Sequence, residues 1–211
     1  MAGYIKGVDI SHQNDGFNFD HLDPEVKFIY LKATQGAKFQ DPAFQANWKA
    51  ARDKGLLHGA YHFLTATDSV NDQVDNFLSR GVDWSLPNVL PPMLDVEDQV
   101  PAALNANITK NKPAFIKLVT DWINIVEAET KRKVVIYSYK NFFNDYLNSQ
   151  SWPNNPLWLA SYQPTPPGLP HGWNDWTFWQ YSQYGTMAGG VKGGSLDLDY
   201  FNGTIEQLAA L

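Results

Sequence analysis

Short apolar stretches recur along the chain at nearly even spacing, and polar, glycine or proline residues separate them. Apolar runs of about four to eight residues with such boundaries are typical of buried β-strands. The pattern predicts eight strands, at residues 5–10, 28–33, 57–64, 89–96, 134–138, 157–160, 177–181 and 196–201.

Three segments between the early strands carry apolar residues at helical spacing. Asp41-Pro42 opens the first predicted helix, which runs to Lys54-Gly55, and Asp68 opens the second, which ends at Gly81. Pro113 begins the third and longest helix. Aspartate or proline at the start of a helix and glycine after its end are recognised boundary signals. We expect each helix to pack its apolar stripe against the sheet.

The connections change after the fifth predicted strand. Residues 164–172 contain several prolines and glycines and cannot form a helix. Alternating strands and helices imply a parallel sheet, and eight strands in about 200 residues predict a closed α/β barrel of the TIM type. We expect a modified barrel whose last strands are connected without helices. No linker or repeat interrupts the pattern, which predicts a single domain over residues 1–211.

The composition narrows the class of protein. Hydrophobic residues make up 44% of the chain and charged residues 18%, which fits a folded globule. The net charge of −6 argues against a nucleic-acid partner, which would require a basic face. The absence of cysteine excludes disulfides and thiolate sites. With no apolar signal core or membrane-length stretch, we expect a soluble monomer that is cytoplasmic, or released or exported by a route not visible in the sequence.

The segment Asp95-Val96-Glu97 follows the fourth predicted strand and carries the clearest chemical signal. Side chains two apart on a strand share a face, which places Asp95 and Glu97 about 6.6 Å apart along the backbone. Two neighbouring buried carboxyls separate in proton affinity, so we expect one to be protonated and the other ionised. Glycoside hydrolysis requires such an acid and anionic partner.

Other polar and aromatic side chains lie at or near the ends of predicted strands, where barrel enzymes place their chemistry. Asp9 and Asp197 are the additional acids in this set. Aromatic faces beside carboxylates suit a saccharide, because rings pack on its CH faces and the acids bond its hydroxyls. We therefore predict substrate contacts for Tyr61, Tyr137, Trp158, Lys32, Gln180 and Tyr162.

Two other functions remain open on the residues alone. Asp9, His12, His62 and Asp95 are of types that bind metals, although no HxH or HExxH spacing is present. The same set would also serve a carbohydrate-binding protein without catalytic activity. Intact Asp9, Asp95 and Glu97 favour an enzyme over that second alternative.

Five segments, in order along nearly the whole chain, resemble the motifs of one family. The family is glycoside hydrolase family 25, the Chalaropsis-type lysozymes or N-acetylmuramidases. The segments are GVDISHQN at 7–14, YLKATQG at 30–36, GAYHF at 59–63, PMLDVE at 92–97 and WQYS at 179–182.

This resemblance implies a modified barrel with about five outer helices and hydrolysis of the β-1,4 bond between N-acetylmuramic acid and N-acetylglucosamine in bacterial peptidoglycan. By the family pattern, Glu97 is the general acid and Asp95 its anionic partner. Asp9 and Asp197 shape the acidic groove and bond the sugar or the attacking water. The resemblance implies no metal or organic cofactor. Gln35 stands where family members often have a glutamate.

The resemblance leaves stereochemistry and biological role open. Retention through the substrate's own 2-acetamido group, oriented by Asp95, is the route we favour. The family includes phage endolysins, bacterial autolysins and secreted antimicrobial enzymes, and an endolysin-like role in wall lysis is the expectation.

Overall fold

The computed structural model describes residues 3–14, 16–99, 101–147, 152–186 and 195–211. Within these ranges, nine strands form one sheet. They are β1 (Ile5–Ile10), β2 (Val26–Gln35), β3 (Phe39–Gln40), β4 (Leu57–Phe63), β5 (Met93–Asp95), β6 (Val135–Tyr139), β7 (Leu157–Ala160), β8 (Phe178–Ser182) and β9 (Asp197–Phe201).

The described residues also form six α-helices, and none of these is long and apolar enough to cross a bilayer. The helices are α1 (Phe44–Asp53), α2 (Val70–Leu78), α3 (Asn105–Lys110), α4 (Lys112–Thr130), α5 (Lys140–Tyr146) and α6 (Ile205–Ala209). Short 3-10 turns at Phe19–His21 and Ala102–Leu104 complete the regular structure of these ranges.

Eight strands close into a barrel, because β1 pairs with both β2 and β9. The short β3 pairs antiparallel with the end of β2 as an extra strand outside the barrel. The predicted α/β barrel is therefore confirmed. Within the barrel the strands pair in parallel except at β9, which runs antiparallel to both β8 and β1.

Two predicted elements have different bounds in the structure for local reasons, and helix α5 was not predicted. The predicted strand at 89–96 is reduced to Met93–Asp95, because Pro91 and Pro92 have no N–H to donate to a ladder. The second helix is capped by Ser69, whose side chain accepts from the Asp72 N–H, whereas Asp68 bonds to the Ala37 N–H. The unpredicted α5 follows β6, so helices continue one strand further than expected.

The longest helix illustrates why these elements form where they do. The Asn111 side chain accepts from the Ala114 N–H at the start of α4, and Pro113 occupies the first turn. Phe115, Trp122 and Val126 face the sheet and are buried. Such a stripe anchors the helix to the outer surface of the barrel by removing apolar area from water.

The side chains inside the barrel alternate along each strand with those that face the helices. Near the start of the parallel strands the interior is filled by aromatic rings, which we call the aromatic floor: Phe28, Tyr30, Trp158, Phe178 and Phe201. The Trp158 and Phe178 rings stack with centroids 4.9 Å apart, and Tyr30 meets Trp158 edge-on at the same distance. The floor closes one end of the barrel and leaves the other end open.

Two glycines make room for these rings. A Cβ atom at Gly7 would lie 2.2 Å from the Phe28 ring, and one at Gly59 would lie 2.3 Å from the Tyr30 ring. Real Cβ atoms do not approach that closely, so the strands must carry glycine where the two rings cross them.

Candidate active site

An acidic cavity of about 500 Å³ opens above the aromatic floor, at the carboxyl ends of the parallel strands. We call it the acid cavity. Carboxyl, amide, hydroxyl and aromatic groups line it together. The lining residues are Asp9, Ser11, Gln13, Asn14, Lys32, Gln35, Tyr61, Phe63, Met93, Asp95, Glu97, Tyr137, Gln180, Ser195 and Asp197.

The four predicted acids all reach this cavity. Asp9 is the last residue but one of β1 and is the register partner of Asp197, which begins β9. Asp95 ends β5 between Phe63 of β4 and Tyr137 of β6. Because β9 runs in the reverse direction, its first residue, not its last, lies at the open end.

The loop after β5 holds Glu97 through its neighbours. The Gln99 side chain donates to the carbonyls of Leu64 (3.2 Å) and Glu97 (3.1 Å), and its Oε1 accepts from the Ala66 N–H. Next to Glu97, the Asp98 carboxyl accepts from the Tyr139 hydroxyl at 2.7 Å and from the Asn105 amide at 2.9 Å. The acid is thereby carried on a loop that is fixed on both sides.

Gln180 orients Asp9 through a hydrogen-bond network. Its Oε1 accepts from the hydroxyls of Tyr137 (2.9 Å) and Tyr162 (2.8 Å), so its amide NH2 must point the other way. That group donates to Asp9 Oδ2 at 2.8 Å. Tyr162 is 48% exposed and contributes to the site at the rim through Gln180.

Lys32 carries the only positive charge among the described residues that line the cavity. Its Nζ donates to Gln35 Oε1 at 2.8 Å and lies 5.0 Å from the centroid of the Phe63 ring. Burial lowers the pKa of Lys32, and Asp95, Asp41 and Glu97 oppose that effect. A single lysine faces several acids, so the cavity keeps an acidic character.

Burial is the main cause that raises the pKa of each of the four acids. Burial brings the pKa of Asp9 to about 6, that of Glu97 to about 7 and that of Asp197 to about 8. The negative charges of Asp98 and Asp197 add to the rise of the Glu97 pKa, while Lys32 lowers it. Burial and Glu97 raise the pKa of Asp95 well above its ordinary value, against the influence of Lys32. Protons therefore remain on part of this cluster at neutral pH.

Asp95 has a further distinguishing property. Its Oδ1 is buried and has no hydrogen-bond donor among the described residues. A buried acceptor without a donor is costly, and a substrate group could supply the donor.

The structure places one predicted contact residue elsewhere. Trp158 does not line the cavity, since its side chain is fully buried in the aromatic floor beneath Tyr137. It supports the cavity from below and has no surface with which to stack on a sugar. Tyr61, Tyr137, Lys32 and Gln180 do line the cavity as expected.

The two histidines weighed as metal ligands are occupied in other contacts. His62 points out of the barrel, where its ring nitrogens bond Thr34 and Gln73 and its ring stacks on Trp122. His12 Nδ1 bonds Asp41 at 2.8 Å. Within the part of the chain that the structure describes, no three His, Asp or Glu side chains form a metal-binding group.

Several lining residues escaped the sequence analysis. Ser195 precedes β9, so a search for polar residues that follow strands passes over it. Gln13 and Asn14 lie in the loop after β1, and Asn14 reaches Ser195 by donating to its carbonyl at 3.0 Å. The polar cluster after Asp9 was the one local signal that could have indicated this wall of the cavity.

Comparison with known proteins decides the family. The model of glycosyl hydrolases family 25 matches residues 8–190. This chain belongs to glycosyl hydrolases family 25.

Similar proteins agree with this assignment over nearly the whole length. Lysozyme M1 of Streptomyces globisporus is 34% identical over 98% of this chain and 71% of that protein. The N,O-diacetylmuramidase of a Chalaropsis species is 30% identical over 98% of each chain. The bacterial lysozyme structure from Streptomyces coelicolor matches with a TM-score of 0.91 and 32% identity, covering 100% of this chain and 98% of the other.

The family 25 segments identified in the sequence surround the acid cavity. Asp9, Lys32, Tyr61, Asp95, Glu97 and Gln180 each come from one of those five segments and each lines the cavity. The resemblance was thus carried by residues that the fold brings to one place.

Proposed function

We propose that this family 25 glycoside hydrolase is a muramidase that cleaves the β-1,4 bond between N-acetylmuramic acid and N-acetylglucosamine in peptidoglycan. Glu97 is the general acid. The observation that carries this proposal is a carboxyl with its pKa raised to about 7, held on a fixed loop beside a second carboxyl in an acidic cavity. A general acid works best when its pKa lies near the working pH.

In the first step, Glu97 gives its proton to the glycosidic oxygen as the bond to the anomeric carbon breaks. The leaving N-acetylglucosamine departs as an alcohol, and Glu97 becomes a carboxylate. The anomeric carbon gains positive character in this transition state. In the second step, Glu97 takes a proton from the attacking water and is restored.

Asp95 is the anionic partner. We propose that in the first step the 2-acetamido oxygen of the substrate bonds to the anomeric carbon as the glycosidic bond breaks, while the acetamido N–H donates to Asp95. In the second step the water oxygen bonds to the anomeric carbon, and the bond to the acetamido oxygen breaks and restores the acetamido group. The unpaired Oδ1 of Asp95 supports this role, because the substrate N–H would satisfy it. In the free protein, burial and the charge of Glu97 raise the pKa of Asp95, and the positive charge of Lys32 opposes them. A hydrogen bond from the substrate N–H would shift this balance toward the carboxylate.

Asp9 and Asp197 shape the acidic groove and bond sugar hydroxyls or the attacking water. Tyr61, Tyr137, Lys32 and Gln180 contact the substrate, and Tyr162 extends the contact surface at the rim. Support for these roles comes from the position of all but Tyr162 in the cavity lining and from the hydrogen bond that links Tyr162 to Gln180.

Product analysis tests the muramidase proposal. Purified protein is incubated with peptidoglycan, and the new reducing ends are reduced with borohydride and identified by mass spectrometry. Reduced muramic acid is expected from the wild type and none from Glu97→Gln. Glu206→Gln, the same change on the exposed helix α6, is the matched control and retains activity. Reduced glucosamine would contradict the bond assignment.

The two alternatives make different predictions in the same assay. A metal-dependent hydrolase would lose activity with a chelator, whereas we expect no effect. A carbohydrate-binding protein without activity would bind the wall and release no reducing ends. The placement of His62 outside the barrel weighs against the first alternative.

Stereochemistry has its own test. A substrate-assisted route retains the β configuration, while inversion needs carboxyls about 6.5–9.5 Å apart with a water between them. Proton NMR of the first-formed product is expected to show the β anomer. An α anomer would contradict the role given to the acetamido group.

We propose that the chain 1–211 acts as one monomeric catalytic domain on the bacterial cell wall, and that it reaches the wall by endolysin-like release or by export. Its role would be lysis of the wall. Sedimentation or light scattering of the purified chain measures the monomer, and lysis of whole cells from outside measures access to the wall.

A further inference from the structure

Asp199 is a buried carboxyl that the proposed mechanism does not use. It lies on β9, two residues after Asp197, and points into the barrel between the acid cavity and the aromatic floor. Its side chain is 0% exposed. Its register partners are Gly7 of β1, which has no side chain, and Gln180 of β8.

Neither oxygen of Asp199 has a hydrogen bond of ordinary geometry among the described residues, and the indole N–H of Trp158 is likewise unpaired. The two groups lie next to each other, and the carboxyl of Asp9 is the other neighbour of Asp199. A buried carboxylate without partners is expensive, so a carboxyl in this place needs either a proton or a cation.

The charges around Asp199 favour the proton. The ionisable groups that face it are Asp9 from β1 and Asp197 from its own strand, and both are acids. Burial is the main cause that raises the pKa of Asp199 well above its ordinary value, and the charges of Asp9 and Asp197 add to it. The neutral acid is a hydrogen-bond donor, unlike the carboxylate.

Asp9 is the acceptor that this donor can serve. Gln180 already donates to Asp9 Oδ2, and the neighbouring Asp199 lowers the pKa of Asp9 by hydrogen bonding. The negative charge of Glu97 acts on Asp9 in the opposite direction. When two adjacent carboxyls share one proton, the more buried of them retains it most readily.

We propose that Asp199 is a positioning residue, a neutral acid that donates its proton in a hydrogen bond to Asp9 and so keeps Asp9 ionised and aimed into the acid cavity. This inference rests on the proposed use of Asp9 in substrate binding or water activation. The indole N–H of Trp158 also lies next to Asp199, which gives Trp158 a polar neighbour within the floor.

Carboxyl carbon NMR of protein labelled at aspartate tests the protonation directly. Among the aspartate signals that stay protonated at pH 7, one is expected to be absent from Asp199→Asn. The Asp9 signal, assigned with Asp9→Asn, should titrate at higher pH in Asp199→Val than in the wild type. An ionised Asp199 at pH 7, or an unchanged Asp9 titration in Asp199→Val, overturns the proposal.

Activity on peptidoglycan gives a second measurement with the same variants. Asp199→Asn retains an N–H donor toward Asp9 and an acceptor toward Trp158, so it should keep most of the activity. Asp199→Val should lose at least about tenfold, the effect of removing one hydrogen bond to a charged group, with the loss growing toward low pH. Equal losses in both variants at all pH values would indicate a packing role and overturn the proposal.

The two measurements separate failure of this proposal from failure of the proposed function. The NMR titration does not depend on turnover and remains decisive if the wild type fails to cleave peptidoglycan. If Asp199→Val does not fold, the wild type and Asp199→Asn still establish whether Asp199 carries a proton at pH 7.

Discussion

The aromatic floor and the acid cavity share the strands β2, β8 and β9, yet one is apolar and closely packed and the other is acidic and open. On β2, Phe28 and Tyr30 belong to the floor and Lys32 to the cavity, and on β8 Phe178 is followed by Gln180. Each floor ring removes apolar area from water and stabilises the fold by roughly 1.5–3 kcal/mol. Each cavity acid is held in a buried place where its charge is disfavoured.

A displacement of two residues along a strand therefore separates the part of the barrel that stabilises the protein from the part that reacts. Inward-facing positions alternate along a strand, so on β2, β8 and β9 floor and cavity residues share one face. The floor gives the rigidity that allows the cavity to keep its acids together against their mutual repulsion. Variants in the floor should change the free energy of unfolding. Variants in the cavity should change how stability and activity depend on pH.

Phe178→Ala should give the largest effect on stability. The ring contacts Trp158, Phe28 and Phe201, with centroid distances of 4.9, 5.4 and 5.3 Å. Removing it leaves a cavity and should lower the free energy of unfolding by about 3–5 kcal/mol. Urea unfolding measures the change. Tyr184→Ala, at a position 74% exposed, should change it by less than about 0.5 kcal/mol. A loss in Phe178→Ala no larger than in that control would contradict the stabilising role of the floor.

Gly59→Ala tests the packing of the aromatic floor by adding a methyl group. The new Cβ would lie 2.3 Å from Tyr30, so the ring or the strand must move, at a cost of about 1–3 kcal/mol. Gly3→Ala meets nothing within 4 Å and is the matched control. Thermal melting compares the two, and equal melting temperatures would show that the floor is loosely packed.

The stability of the protein should depend on pH, because the acids in the cavity titrate near neutral pH. Glu97 and Asp197, with pKa values raised to about 7 and about 8, bind protons more strongly when the protein is folded. Their contribution is present at low pH and is lost as the pH rises through those values. Below pH about 6.5 the neutral, buried His62, with its pKa lowered to about 4, acts in the opposite direction. The effect of Glu97 and Asp197 on stability is therefore best measured in the window from pH about 6.5 to about 8.5, where His62 does not oppose it.

In that window the melting temperature should fall, by about 2–4 °C for each kcal/mol lost. Asp197→Asn should reduce the slope, because the amide does not titrate. A flat profile in the wild type would mean that these acids are as well solvated folded as unfolded.

Asp98→Asn should give the smallest effect and tests how the charge of Asp98 acts on Glu97. Asp98 raises the pKa of Glu97, so the amide should move the alkaline limit of activity to lower pH. The shift should shrink at high salt, because Asp98 is exposed. Asp75→Asn, an exposed aspartate on α2, removes the same charge and should leave the limit unchanged. An equal shift in both variants would point to net charge as the cause.

Local patterns in the sequence predicted the barrel well. Short apolar runs located the strands, since burial on both faces leaves that signature. The direction of β9 was not predictable in the same way, because a strand has the same alternation whichever way it runs. Its reversal placed Ser195 at the cavity and reversed the order in which Asp197 and Asp199 meet the open end.

The sequence predicted which residue types form the site. It did not predict how deep in the barrel each side chain lies. Asp9, Asp95, Glu97 and Asp197 were identified because acids beside apolar strands are unusual, and all four reach the cavity. Trp158 was misplaced because the alternation gives the face of a residue and not its height in the barrel. Gln13 is brought to the site by a loop, and loop paths depend on tertiary contacts that the sequence pattern does not display.

The pairing of β1 with β9 also fixes where the chain enters and leaves the barrel. Ile5 is the register partner of Phe201, so the first and last strands begin and end side by side at the floor. The C-terminal helix α6 packs there too, with Leu208 buried in the floor cluster. A tether, tag or binding module joined at either end would emerge on the side opposite the acids. Such an attachment could change where the enzyme is held without altering how it cuts.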